Sequence, residues 1–482
     1  MRRRTFLSAA AAVPIAGSVP AAGSVPPAGS VPAAGSVPLA GAVPLAGSDP
    51  LAGSVPVAAS GPSDCRFSLT TVAAASAART DRRPVAGGVH DPRAGKTFIS
   101  WGGYQEDNYV QEYDHRLGTW SAPVRVAGGD NDSHNYPTLI QADDGHLLVF
   151  RGLHNRELWV ARSPAPHSID GEWTDTIIPE GLGATYPMPV KTMDGHLFVF
   201  IRETAGDFDP AFPTDTRPMK YVRSTDHGRT WESSSDLTGE RWCIAPLDRP
   251  DNMNEIYIGQ LRHEPATRRH PERIAMVWTL AGGGPEGNLH DRYHRNIYYA
   301  TFSPRDLRFR SADGHVLGTR VDDADQERHL KVAQTALQTV NPRSPDYISL
   351  VGSAYGGSRP FVVWMQLDSA SVLHGYSAVH LPGRGWRQRE LGVGARLRDM
   401  EPVDDHTWRL YATPEPAAPG VATWRFTPGR APKPETHIDT PQPVQRIEVI
   451  DGHRDPARIL LTGASSARDV AVADGDIYVA GC

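Results

Sequence analysis

The chain has 482 residues, of which 39% are hydrophobic and 22% are charged, a composition typical of soluble globular proteins. The formal net charge of −6 excludes a general attraction to nucleic acids or anionic membranes, and no basic run suggests a local one. A polyanionic substrate would therefore need a local basic patch. We expect a monomer with no nucleic-acid partner and no membrane partner.

Residues 1–16 have the layout of an export signal. The stretch MRRRTFLSAAAAVPIA starts with arginines and continues into a short apolar run that ends in small residues, and RRTFLS resembles a twin-arginine motif. The apolar run is too short to span a bilayer. We predict a secreted protein with a twin-arginine-type signal; a disordered basic tail is the alternative.

Residues 17–60 are predicted to form a spacer. A six-residue repeat, with copies such as AAGSVP and LAGSVP, covers positions 15–56. A proline in every repeat excludes a regular helix, and the segment has too few bulky side chains to build a core. We therefore expect an extended linker without chemistry.

Residues 65–482 are predicted to be all-β, because short β-rich runs alternate with turn residues and no long segment has a helical period. The run YPTLIQADDGHLLVFRG (136–152) matches YPMPVKTMDGHLFVFIR (186–202) at a shift of fifty residues. The run STDHGRTW (224–231) resembles the Asp-box, or BNR repeat, a hairpin-turn motif. These repeats predict a β-propeller of four-stranded antiparallel blades. At about sixty residues per blade we expect seven blades, with six or eight as alternatives.

Two of these hairpins carry polar side chains at one end. His134 precedes the first hairpin and His154 follows it; in the second hairpin, Tyr186 starts the first strand and Arg202 ends the returning strand. Because each turn lies midway between the two flanking residues, those residues must meet at the opposite end of the hairpin. If both hairpins are the inner ones of consecutive blades, the four side chains converge at the central channel.

This set of side chains suits β-elimination of a glycosidic bond next to a uronic acid. An arginine can neutralise the uronate carboxylate, which makes the C-5 proton acidic enough to be removed. Imidazoles and a tyrosine beside a cation can transfer protons near neutral pH. The residues therefore indicate a lyase that acts on an anionic polysaccharide.

Over residues 65–482 the chain resembles the BNR-repeat, seven-bladed propeller polysaccharide lyases, specifically the ulvan lyases. In that family two histidines lie about one hairpin apart and a tyrosine precedes an arginine by sixteen residues, as His134, His154, Tyr186 and Arg202 do here. The resemblance implies that Arg202 neutralises the carboxylate and that His154 helps to bind it. His134 and Tyr186 would share the roles of base and acid, in an order that the sequence leaves open.

A third hairpin is predicted to carry a structural zinc site. Cys243 starts it, His263 ends it twenty residues later, and the following loop brings His270 to the same end. A thiolate and two imidazoles suit Zn²⁺, with a histidine, a carboxylate or water as the fourth ligand. The alternative is a buried free cysteine with exposed histidines.

The two remaining cysteines, Cys65 and Cys482, could pair if the fold brings the two ends of the domain together. No organic cofactor is expected.

Two other functions fit a propeller. A sialidase-like glycoside hydrolase also has Asp-boxes, but it needs an arginine triad and usually an R-I-P motif, which we do not find. A non-catalytic carbohydrate-binding propeller is the second alternative. Basic residues that could bind sulfate or carboxylate groups, or simply be surface charges, include Arg156, Arg217, Lys220 and Arg223.

Overall fold

The computed structural model describes residues 66–77, 87–207, 211–212, 215–247, 249–268, 270–283, 293–335, 348–356 (backbone only), 359–368, 370, 372–467 and 470–482. All of these belong to one compact unit, Val57–Cys482. The predicted signal and spacer, at 1–16 and 17–60, lie outside the described residues. Among the helices that are described, none is long and apolar enough to cross a membrane.

The described residues are organised almost entirely as β-strands, which confirms the all-β prediction. Two short α-helices interrupt them, α1 (Ser234–Thr238) and α2 (Asp323–Asp325). Single 3-10 turns span Tyr104–Glu106, Pro179–Gly181 and Ala205–Asp207, and a π-turn spans Gln326–Leu330.

The first strands of the chain join its last ones. The N-terminal strands are β1 (Ser68–Ser76), β2 (Gly88–Asp91), β3 (Lys96–Gly102), β4 (Asn108–Asp114), β5 (Thr119–Trp120) and β6 (Val124–Ala127). The C-terminal strands are β26 (Ala395–Pro402), β27 (Trp408–Pro414), β28 (Pro419–Phe426), β29 (Lys433–Arg454), β30 (Ala457–Gly463) and β31 (Gly475–Gly481). Strand β1 pairs antiparallel with β31, from Ser68 opposite Gly481 to Ser76 opposite Gly475. The long β29 pairs with β28 through its first half and with β30 through its second. All twelve strands therefore form one continuous hydrogen-bonded sheet.

Two regular four-stranded antiparallel sheets follow, each with its strands in chain order. The first contains β7 (Thr138–Gln141), β8 (Leu147–Gly152), β9 (Leu158–Arg162) and β10 (Thr174–Ile178). The second contains β11 (Ala184–Lys191), β12 (Leu197–Glu203), β13 (Met219–Ser224) and β14 (Glu232–Ser233). These sheets contain the two hairpins that the sequence repeat had indicated, β7–β8 and β11–β12.

The remaining strands form two further sheets. A seven-stranded sheet contains β15 (Glu255–Ile258), β16 (Arg262–Glu264), β17 (Arg273–Gly282), β18 (Tyr293–Ser303), β19 (Arg308–Arg310), β20 (Val316–Gly318) and β21 (Lys331–Ala333). A four-stranded sheet contains β22 (Ile348–Gly356), β23 (Arg359–Leu367), β24 (Leu373–Leu381) and β25 (Gly385–Glu390).

The β7–β8 and β11–β12 hairpins are held together by packing between their sheets. Every residue of β8 and of β12 is buried, because both faces of each strand are covered. Leu148 and Phe150 of β8 share one hydrophobic cluster with Val199 and Ile201 of β12. Truncating a buried phenylalanine such as Phe150 to alanine costs about 3–5 kcal/mol. This packing fixes the position of one hairpin relative to the next.

Candidate active site

The two histidines meet at the end of the β7–β8 hairpin that lies opposite its turn. His134 lies four residues before β7 and His154 two residues after β8. Their rings stack with centroids 3.8 Å apart and an angle of 18° between the ring planes. The twenty-residue spacing therefore reflects hairpin geometry, as the sequence predicted.

Asp132 holds both histidines. Its two carboxylate oxygens lie 2.6 Å from Nδ1 of His134 and 2.9 Å from Nδ1 of His154, and the backbone N–H of His134 donates to it at 2.9 Å. Burial opposes ionisation of Asp132, but the hydrogen bonds from the two histidines outweigh it and hold its pKa well below the usual value. An ionised carboxylate only accepts hydrogen bonds, so each Nδ1 must carry a proton. When a ring is neutral, its lone pair then lies on Nε2, which is the nitrogen that can accept a proton.

Asn135 and Asn155 connect the strained backbone around His154 to its surroundings. His154 and Asn155 have φ angles of 25° and 67°, in a region that non-glycine residues rarely adopt. The buried Asn135 accepts a hydrogen bond from the His154 N–H at 3.1 Å and donates to the Gly129 carbonyl at 2.7 Å. The side-chain oxygen of Asn155 accepts from Thr185 at 3.0 Å and from Thr204 at 2.6 Å. The loop of His154 is thereby tied to the β11–β12 hairpin.

Tyr186 lies on a bulge of β11. The pairing register with β12 shifts between Thr185 and Met188, and Tyr186 has a φ of 59°. A bulge re-aims a side chain that a regular strand would direct elsewhere. Tyr186 is 4% exposed, and its ring centroid is 5.9 Å from that of His134.

Arg202 is a buried cation beside Tyr186. Its guanidinium carbon lies 4.5 Å from the ring centroid of Tyr186 and 4.8 Å from that of Tyr257, and the residue is 1% exposed. Burial alone would lower the pKa of Arg202, but Tyr186, Tyr257 and Glu255 raise it above its usual value. Among the described residues, Nε and Nη1 of Arg202 have no hydrogen-bond partner. A buried guanidinium with two unused donors suits an incoming carboxylate.

The structure therefore brings together the four side chains that the sequence selected. It adds residues that the sequence analysis missed, namely Asp132, Asn135, Tyr257, Glu255 and His294. Asp132 could have been found from the sequence, because it lies in the same short loop as His134, only two positions before it. Tyr257 is on β15 of the neighbouring sheet and contacts both Arg202 and His294, whose ring centroid is 4.8 Å away. Nothing in the local sequence marks that contact.

The predicted metal ligands are not brought together. Cys243 is a free thiol, 1% exposed, inside a hydrophobic cluster, and this burial raises its pKa. Nε2 of His263 lies 2.7 Å from Glu272, and Nδ1 of the half-buried His270 lies 3.0 Å from the Pro271 carbonyl. The apolar CIA segment packs into the core instead of presenting its thiol at a hairpin end.

The hairpin assumed for this site also differs from the observed one. Strands β15 and β16 both pair with β17, with His263 opposite Ile274, whereas Ile244, next to Cys243, makes isolated bridges to Met219 and Val321. The Cys243 segment and β15 are thus not two arms of one hairpin.

Among the described residues, the donors close enough to share a metal are Asp132, His134 and His154, whose candidate ligand atoms lie within 4.8 Å of one another. The carboxylate and the two imidazoles already satisfy one another by hydrogen bonds. A metal ion held through both Nδ1 atoms would have to displace their protons.

The cysteines at the ends of the domain were predicted to be able to pair. Cys482 is disulfide-bonded, whereas Cys65 lies outside the described residues. The pairing of β1 with β31 places the two ends of the described unit side by side.

Comparison with known proteins agrees with this architecture. Ulvan Lyase-PL25 of Pseudoalteromonas sp. (strain PLSV) is 25% identical over an alignment of 256 residues that covers 48% of this chain and 48% of that protein. Ulvan lyase of Alteromonas sp. (strain LOR) is 24% identical over an alignment of 311 residues that covers 59% of this chain and 60% of that protein. The chain thus spans about half to three fifths of the length of these curated relatives.

A solved structure of a PL25 ulvan lyase bound to -[GlcA(1-4)Rha3S]- matches with a TM-score of 0.67 at 16% identity, covering 85% of this chain and 95% of that chain. This likeness confirms the β-propeller fold, whereas the number of blades stays a prediction. Residues 96–393, more than half of the sequence, match the model of a BNR repeat-containing family. The chain therefore belongs to the BNR repeat-containing family.

Proposed function

We propose that the protein is a polysaccharide lyase that cleaves a uronic-acid-containing, ulvan-like polysaccharide by β-elimination. The observation that carries this proposal is Arg202, a buried guanidinium with two unused donors, lying over Tyr186 and next to the stacked pair of His134 and His154. The relatives named ulvan lyases support the same activity over the part of the chain that they match.

In this mechanism Arg202 binds the uronate carboxylate through Nε and Nη1 and neutralises its charge. The electrons left by removal of the C-5 proton can then delocalise into the carboxyl group, so the barrier to proton abstraction falls. His154 helps to bind that group in its protonated form, in which Nε2–H donates to the uronate carboxylate while Nδ1–H stays on Asp132.

The tautomer of His134 supports its assignment as the base and that of Tyr186 as the acid. Because Asp132 keeps a proton on Nδ1, Nε2 of His134 can accept the C-5 proton as the general base. Tyr186 donates its phenolic proton to the departing glycosidic oxygen. The C-4–oxygen bond breaks as the C-4–C-5 double bond forms, so no water is consumed. His134 then returns its proton to Tyr186, directly or through solvent, which restores the enzyme.

The arginine-rich N-terminus supports export, so we place this activity outside the cytoplasm. An anionic polysaccharide is too large to enter a cell intact, which makes an extracellular location consistent with the proposed substrate.

The experiment that tests the proposal is incubation of the purified protein with ulvan and with other uronate polysaccharides, followed by ultraviolet absorbance of the unsaturated uronate. We expect absorbance to grow with ulvan. Absence of the unsaturated product on every uronate polymer would overturn the lyase assignment. Release of sialic acid from a sialoglycan would favour a sialidase, and binding without turnover would favour a carbohydrate-binding propeller.

A further inference from the structure

A second charged pocket lies between the sheet of β22–β25 and the loop that follows β28. It has a volume of about 380 Å³, and four arginines converge on it. They are Arg359, Arg387, Arg389 and Arg430. No acidic side chain is among the described residues that line it, and the rest of its wall is mainly apolar.

All four arginines of this pocket lack a counter-ion among the residues that the structure describes. None of the four forms an ion pair with a residue that the structure describes; the Arg389 guanidinium makes one hydrogen bond, to the Gly429 carbonyl at 3.2 Å. By contrast, the four basic residues that the sequence analysis named as possible ligands of sulfate or carboxylate groups each form an ion pair. The ion pairs are Arg156 with Asp130, Arg217 with Asp215, Lys220 with Glu203 and Arg223 with Glu232.

The grouping is built into the strands. Arg387 and Arg389 are two residues apart on β25, so their side chains project from the same face. Arg359 opens β23 two strands away, and Arg430 comes from the loop after β28 in the adjoining sheet. Four guanidinium groups that face one pocket repel one another, and an anion would relieve that repulsion. In a protein with a net charge of −6, such a patch is a local feature and does not follow from composition.

The pocket lies at the opposite end of the strands from the candidate active site. Arg359 pairs with Gly356 where the β22–β23 hairpin turns. In the β7–β8 hairpin the turn end lies away from His134 and His154, and equivalent turns of propeller blades lie on the same face. A ligand in this pocket therefore cannot occupy the cleft of Arg202, and the two sites can be changed separately.

We propose that this arginine pocket binds the sulfate or carboxylate groups of an anionic polysaccharide and holds a second stretch of the chain while another is cleaved. The identity of the ligand rests on the proposed function. Planar guanidinium groups bind both kinds of anion through paired hydrogen bonds, and the apolar wall can pack against sugar rings. The arginine pocket thus supplies the local basic patch that an acidic protein needs in order to bind a polyanionic substrate.

The test is affinity electrophoresis of the full chain through gels that contain ulvan, in an R202A background that removes turnover. Adding R387Q and R430Q should weaken retention by about tenfold. The matched control is R116Q with R308Q, which removes the same charge from exposed arginines elsewhere and should leave retention unchanged. Equal retention with and without R387Q/R430Q, or an equal loss in the control, would overturn the proposal.

Parallel gels identify the ligand chemistry. Dextran sulfate carries only sulfate and polygalacturonate only carboxylate, so the gel in which R387Q/R430Q lowers retention names the group that is bound. Duplex DNA retained as strongly as ulvan, with the same loss in the variant, would overturn the assignment to polysaccharide. With Arg202 intact, R387Q/R430Q should leave turnover of short oligosaccharides unchanged. If the wild type forms no unsaturated product from ulvan, the proposed function fails, whereas gel retention still decides the pocket.

Discussion

Replacing Asp132 by asparagine tests how the histidine pair is organised. The carboxylate accepts from Nδ1 of both His134 and His154. An asparagine at this position has one oxygen that accepts and one amino group that donates. It can satisfy only one histidine in the observed tautomer, and the other must turn its ring or move its proton to Nε2.

The size of the effect follows from the lost hydrogen bond. A hydrogen bond to a charged group contributes about 1.5–3 kcal/mol, and both Asp132 contacts are partly shielded from solvent. A loss of about 2 kcal/mol in the transition state lowers kcat about 30-fold. We expect this loss in kcat with a much smaller change in KM, because Asp132 acts through the histidines and does not touch the substrate in our mechanism.

The assay combines ulvan turnover with nitrogen NMR of the histidine rings. The wild type should show both rings protonated at Nδ1, and D132N should show only one. The matched control is D130N, which makes the same charge change two residues away at an exposed aspartate and should retain full kcat. A D132N variant with full activity, or with both wild-type tautomers, would refute the role of Asp132.

Three further predictions concern other parts of the molecule. R202K keeps the buried charge but loses the bidentate fork, so we expect kcat/KM on ulvan to fall about 100-fold while the melting temperature stays close to that of the wild type; unchanged kinetics would remove Arg202 from carboxylate binding. Dialysis against a chelator should leave turnover unchanged, because Asp132 holds the histidines by hydrogen bonds; loss of activity that added zinc restores would instead indicate a metal. Burial raises the pKa of Asp399 to about 6, against hydrogen bonds from the Val449 and Met400 backbone. Between about pH 4 and about pH 6 the Asp399 carboxyl keeps its proton only in the folded state. The contribution of Asp399 to the free energy of unfolding therefore falls by about 3 kcal/mol as the pH rises through that window. Denaturant unfolding should show the advantage of the wild type over D399N shrinking across this range, and a constant difference would contradict the raised pKa.

The sequence predicted those parts of the site that depend on local geometry. The repeat at 136–152 and 186–202 marked two hairpins, and a hairpin necessarily brings its two ends together, so the convergence of His134 with His154 could be inferred from spacing. The approach of Tyr186 to Arg202 followed by the same reasoning.

Contacts between sheets could not be predicted in this way. Tyr257 reaches Arg202 from a different sheet, and its neighbouring sequence has no repeat that marks the contact. The predicted zinc ligands Cys243, His263 and His270 are not brought together, for a related reason. A pattern of cysteine and histidine spacing does not reveal that the segment at Cys243 is apolar enough to be drawn into the core between sheets. The arginine pocket is likewise formed by strands and a loop distant in sequence.

Digestion of ulvan in oxygen-18-labelled water tests the central claim most directly, with mass spectrometry of the products. β-Elimination predicts fragments that end in an unsaturated uronate, with no labelled oxygen at the cleaved bond, and none of these fragments from the R202A variant. Saturated fragments carrying one labelled oxygen would show hydrolysis and would contradict the account.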